Sequence, residues 1–149
     1  MTQVDRTLPV RRLLEQEQYG VLSTLSRKAE GWPFGSLTPF ALTEVGQPLV
    51  LLSGLAEHTQ NLLADPRVSL FVQDSQALAN PQAGARATLL CTAAAVSDAV
   101  AAQTVYLQRF PEADSLLQLG DFRFFRLQIE RVRFIGGFGD MYWVSGTDF

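Results

Sequence analysis

The 149-residue chain has one cysteine, Cys91, and one histidine, His58. A lone thiol cannot close an internal disulfide, and one thiol with one imidazole does not make a structural zinc site. No stretch of eighteen uninterrupted apolar residues occurs, and the opening MTQVDRTLPVRRLL lacks the apolar core of a signal peptide, so a soluble cytoplasmic protein is the expectation. No run of Lys or Arg lines any element and the formal net charge is −3. That balance removes the electrostatic footprint of a nucleic-acid binder and disfavours docking on anionic membranes. What is present is apolar: 47% hydrophobic against 18% charged residues is material for one proper core, and the length needs no second, so one domain over 1–149 is expected.

Periodicity orders the chain. A first helix is read over Val10 to Gln18, with Thr7 able to cap and Pro9 suited to the first turn, ended by Gly20. Val21 to Ser26 and Pro33 to Thr43 flank a polar turn as a hairpin, and Pro39 marks an edge or a bulge. Pro48 to Ser53 is a third strand, His58 to Ala64 a helix, Arg67 to Gln73 a fourth strand, and Asp74 to Ala85 an exposed loop. Arg86 to Val96 is a fifth strand, and Ser97-Asp98 caps a helix running to Arg109. Phe122 to Ile135 is the sixth. There Phe125, Leu127 and Ile129 alternate with polar residues, but the next apolar position is Val132, so the period of two slips near Glu130 and Arg131 as in a β-bulge.

The densest chemistry lies in LLSGLAEHTQNLLADPRVSLFV, Leu51 to Val72. A strand passing through Ser53 and Gly54 into a helix start aims unpaired backbone N–H groups and the positive end of the helix dipole at one point, where phosphate is the natural anion. His58 either contacts that anion or bonds a neighbouring carbonyl. Asn61 reads as a local capping or turn-bonding residue rather than a ligand. Gly136, Gly137 and Gly139 sit in no strand–loop–helix unit and so form no dinucleotide fingerprint; a bend is their use. Trp32, Phe138, Tyr142 and Trp143 are divided between core and interface, and Cys91 reads as an inert buried thiol.

Three segments, PFGSLTPFAL (33–42), Leu51 to Val72, and RVRFIGGFGDMYWV (131–144), resemble the flavin-binding split-barrel proteins related to pyridoxamine phosphate oxidase, in the branch close to heme-utilisation proteins. The resemblance implies a mainly β fold with flanking helices, a six-stranded antiparallel split barrel, acting as a homodimer with FMN in an interfacial cleft. Carried over by position, it implies that Ser36, Leu37 and Thr38 run beside the flavin and its ribityl phosphate. Ser53 and Gly54 would close the phosphate pocket, His58 and Thr59 grip it, and Arg86 stands where the oxidases place a ring-contacting glutamine. It thereby implies an FMN-dependent oxidoreductase with an unknown small-molecule substrate. A non-enzymatic dimeric split-barrel binder with weak or no flavin, or a heme-binding, heme-utilisation protein, is the alternative.

The departures are specific. The oxidases carry Arg near Ser36 and Lys near His58, so fixed positive charge is lost from this pocket. Their C-terminal Arg and His pair for pyridoxamine phosphate has no counterpart in GGFGDMYWVSGTDF, which argues against making pyridoxal phosphate. The heme-ligating histidine of the heme-utilisation relatives has no second position to occupy here, since His58 stands alone.

Overall fold

The computed structural model describes residues 5–149. Helix α1 spans Thr7–Gln16 and buries Val10, Leu13 and Leu14. It starts earlier than the periodicity suggests because Asp5 supplies the acceptor: its Oδ1 takes hydrogen bonds from the Thr7 N–H at 2.9 Å and the Thr7 hydroxyl at 2.7 Å. Strands β1 (Tyr19–Leu25) and β2 (Pro33–Pro39) form the expected hairpin. Gly20 belongs to β1 rather than to a helix stop, and a Cβ there would lie 2.8 Å from Leu70 Cδ1 and 2.9 Å from the Phe71 carbonyl oxygen. Only glycine lets this end of β1 close on its neighbour.

The remaining strands are β3 (Ala41–Leu42), β4 (Pro48–Ser53), β5 (Arg67–Gln73), β6 (Arg86–Ala95), β7 (Phe122–Gly137) and β8 (Asp140–Ser145). Helix α2 (Glu57–Ala64) follows β4, α3 (Ala99–Arg109) follows β6, and the short α4 (Asp114–Leu117) precedes β7. The sheet is antiparallel in the order β2-β1-β5-β6-β7-β4-β3, with β8 paired to β7. There are thus eight strands, not six. The segment expected to be one strand over 33–43 breaks at Phe40: Pro39 offers no N–H, and Ala41 and Leu42 pair with β4 instead of β1. The second extra strand, β8, exists because Gly137 and Gly139 adopt φ of 131° and 77° and fold the chain back on β7.

That break decides the architecture. β2 and β3 are the two edges of the path, yet Phe40 alone separates them in sequence, so the sheet has to curl until its edges meet. Inside the curl lie Leu22, Phe40, Val50, Leu70, Leu89, Leu127 and Val132, together with the buried face of α1. β4 is covered on both sides: Val50 and Leu52 face this interior, while Leu49 and Leu51 pack with Tyr106 and Phe110 of α3 and its C-cap. The anticipated bulge is present. Leu90 pairs with Arg131 and Cys91 with Ile129, leaving Glu130 without a partner. Asp98 caps α3 as expected, its Oδ1 accepting the Ala101 N–H at 3.1 Å.

Candidate functional site

The start of α2 was the expected anion site, and the structure shows how its donors are spent. The Ser53 hydroxyl donates to Asp121 Oδ2 at 2.8 Å and accepts the Leu55 N–H at 3.1 Å. The Gly54 N–H donates to the Asp121 carbonyl at 2.7 Å and the Ala56 N–H to the Ser53 carbonyl at 3.2 Å. Gln60 Nε2 closes the turn on the Gly54 carbonyl at 2.7 Å. The corner is therefore internally bonded, and the anion it holds is the chain's own Asp121 carboxylate, which opposes a second anion. His58 is half-buried, and burial lowers its pKa below the ordinary histidine value, favouring a neutral imidazole.

Thr59 is fully buried, and its Oγ1 has no hydrogen-bond partner among the described residues. An unmade bond of this kind costs about 1–3 kcal/mol. Thr59→Val, which keeps the shape and removes the hydroxyl, is expected to raise stability by about 1 kcal/mol in urea unfolding; a loss of that size would mean that the hydroxyl has a partner after all. Asn61, by contrast, is fully used and not locally. Its Oδ1 accepts the Arg27 N–H at 2.9 Å and its Nδ2 donates to Thr24 Oγ1 at 3.1 Å, fixing α2 against the inner side of β1.

The other expected residues part company. Ser36 and Thr38 face inward on β2, against which α2 packs, and the buried Thr38 hydroxyl donates to the Pro39 carbonyl at 3.1 Å. Strand alternation sends Leu37 to the opposite face, 74% exposed. Arg86 begins β6, where its Nη1 donates to the Gln82 and Gly84 carbonyls at 2.7 and 3.2 Å and closes the preceding loop. Ser53, Gly54, His58 and Thr59 are thus brought together, Ser36 and Thr38 lie on the neighbouring inner face, and Leu37 and Arg86 point elsewhere.

Sequence reasoning passed over the outer face of the sheet. Pairing registers place Leu37, Val21, Phe71, Thr88, Arg133 and Trp143 in one row across β2, β1, β5, β6, β7 and β8. The adjacent row runs Gly35, Ser23, Ser69, Leu90, Arg131 and Ser145. Two shallow grooves indent this face. One of about 400 Å³ lies among Tyr19, Val21, Leu37 and Phe71. The other, of about 550 Å³, lies among Leu25, Pro33, Arg67, Leu90 and Glu130. The bulge aims the Glu130 carboxylate into the second groove, where Oε1 accepts the Thr92 hydroxyl at 3.1 Å. Cys91 reaches the same groove from below but stays a protonated thiol, pushed up to about 12 by burial and then by Glu130. At the far end Arg131 and Arg133 stand 4.5 and 5.7 Å from the Trp143 ring centroid. The signal for this cluster was the alternation Arg131-Val132-Arg133-Phe134, which puts both arginines on one face; their meeting with Trp143 depends on the β7–β8 register.

No group of three or more metal-ligating side chains occurs among the described residues, and no helix there is long and apolar enough to cross a membrane.

Comparison with known proteins bears on the ligand. A chloroplastic non-canonical heme oxygenase of Arabidopsis thaliana, HOZ, is 37% identical over 139 residues, covering 92% of this chain and 42% of the relative, so the chain spans less than half of that protein. The heme oxygenase HutZ of Vibrio cholerae is 39% identical over 126 residues, 80% of this chain and 71% of the relative. A solved structure of a heme binding protein from Mycobacterium smegmatis has a TM-score of 0.90 at 29% identity, covering 99% of this chain and 61% of that one. These proteins are named for heme, which overturns the expectation of FMN as cofactor. The physical reason is on the α2 side of the barrel: the Ser53 hydroxyl and the Gly54 amide meant for the flavin phosphate are bonded to Asp121. The family described as CREG, beta-barrel matches residues 5–149, and with these relatives it shows that the chain belongs to that β-barrel family, in the heme-utilisation branch of the split-barrel proteins related to pyridoxamine phosphate oxidase.

Proposed function

We propose that this protein binds heme and takes part in its breakdown, working as a homodimer whose subunits meet over the outer face of the sheet. The observation that carries the reading is the likeness, above 35% identity, to two heme oxygenases over most of the chain. The geometry supports it. Heme is a flat apolar ring with two carboxylates on one edge, and the outer face offers exposed Val21, Leu37 and Leu90 with Phe71, bordered by arginines. A face this apolar is normally covered, by a second copy, a ligand or both. His58 bonds no part of this face, because α2 lies on the inner side of the sheet. What the outer face offers a heme is therefore apolar contact for the ring and guanidinium for its carboxylates, rather than an imidazole.

Titration with hemin tests the reading. A saturable Soret band and a light-scattering mass of two chains are expected, followed under dioxygen and an electron donor by loss of that band and release of iron to a ferrous chelator. Protein that never perturbs the hemin spectrum would remove heme from the account, and a Soret band that persists unchanged would leave binding without breakdown.

A further inference from the structure

Two guanidiniums on one side of one strand share a single indole. Arg131 and Arg133 project from the outer face of β7 with the fully buried Val132 between them pointing inward, which spaces their origins about 7 Å apart along the strand. Trp143 is the direct partner of Arg133 on β8 and is 46% exposed, so its ring is a floor on which both cations rest. Neither meets a carboxylate among the described residues, where the one salt bridge joins Arg67 to Asp65 at 2.7 Å. The acid next in sequence, Glu130, is turned into the groove toward Thr92.

Beyond the arginines the face carries Leu90, Phe71 and Val21, with the small polar side chains of Thr88, Ser69 and Ser23 between them. Arg131 is opposite Leu90 and Arg133 opposite Thr88, with Phe71 on β5 and Val21 on β1 behind them. From β7 to β1 is three strand spacings, about 14 Å, comparable with the width of a porphyrin. Covering this field strips water from the two guanidiniums, which is costly unless each receives an anion. A planar apolar ligand with a carboxylate at each of two points on one edge meets both demands, and the guanidinium fork matches a carboxylate in two parallel hydrogen bonds.

We propose that Arg131 and Arg133, steadied by Trp143, are the carboxylate-binding pair of this protein and hold the two propionates of heme, with the ring lying over Leu90, Phe71 and Val21. The assignment rests on the heme reading above and adds which edge of the ligand faces which strand.

The test compares hemin with hemin dimethyl ester, in which both carboxylates are masked, on the full chain carrying Trp32→Phe so that Trp143 is the one fluorescent indole. Hemin is expected to bind at least about tenfold tighter than the ester and to quench Trp143. Arg131→Ala with Arg133→Ala lowers hemin affinity to the level of the ester and leaves the ester's own affinity unchanged. Arg126→Ala, an exposed arginine earlier on the same strand, leaves both affinities and their ratio as they were. Single Arg131→Gln and Arg133→Gln variants, each expected to lose part of the preference, serve if the double variant does not fold. A double variant that still prefers hemin over its ester overturns the assignment while leaving heme binding standing. Failure of the unsubstituted protein to bind either compound overturns the heme reading itself, and the assignment with it.

Discussion

Arg109→Ala is expected to lower the unfolding free energy by about 2–3 kcal/mol, the upper part of the range for hydrogen bonds to a charged group, since the side chain is half-buried and its partners are backbone carbonyls. Arg109 closes α3, and its guanidinium gathers four backbone carbonyls. Nη1 donates to Glu17 at 3.0 Å and Phe40 at 2.9 Å, and Nη2 to Leu14 at 3.3 Å and Glu15 at 2.9 Å. Leu14 and Glu15 lie in the last turn of α1, where carbonyls have no intrahelical donor. Phe40 is the residue at which the two sheet edges meet, and the guanidinium also lies 5.5 Å over its ring. One side chain therefore ties α3, the end of α1 and the closure of the barrel. Burial lowers the Arg109 pKa and Glu15 acts the other way, but the group stays charged at any pH at which the protein folds. Arg109→Lys is expected to recover less than half of the loss, because an ammonium has three donors and no planar fork. For a domain of this size the alanine variant should melt about 10 °C lower. A shift of only one or two degrees would mean that water replaces the guanidinium at little cost.

Gly146→Ala should be similarly damaging, by about 2–3 kcal/mol, for a steric rather than a polar reason. Gly146 follows β8 and lies against the backbone of the β7 bulge. A Cβ there would collide with the Ile129 carbonyl oxygen and stand 2.8 Å from that of Glu130. Ile129 has little room to retreat, since its N–H donates at 2.7 Å to Oε1 of the buried Gln47, a contact that pins the bulge from the other side. The substitution is therefore expected to push the bulge or to lift the C-terminal turn off it. Either response displaces Arg131, which follows the bulge and pairs with Leu90, so hemin affinity should fall together with stability. An alanine variant with unchanged melting temperature and unchanged hemin affinity would show that the two backbones are not in fixed contact.

The local devices were legible. The slip of alternation at Glu130, the Asp98 cap of α3 and the interruption at Pro39 each depend on residues within a few positions of one another, where side-chain period, capping geometry and a missing N–H act directly. Strand number was misread for a related reason. Ala41–Leu42 is too short to announce itself, and β8 becomes a strand only when Gly137 and Gly139 return it to β7. The cofactor was misread because the Ser53 and Gly54 donors look free in sequence. Asp121, which takes them up, is 68 positions from Ser53.

Sequence alone determined a β-rich barrel, its bulged last long strand and its family, because apolar periodicity and short motifs are carried by neighbours along the chain. Only the tertiary structure decided which polar groups remain available. Asp121 at Ser53, Arg109 across three elements, and Arg131 and Arg133 around Trp143 are set by strand register and barrel closure, and a donor's availability depends on what the fold brings within about 3 Å of it.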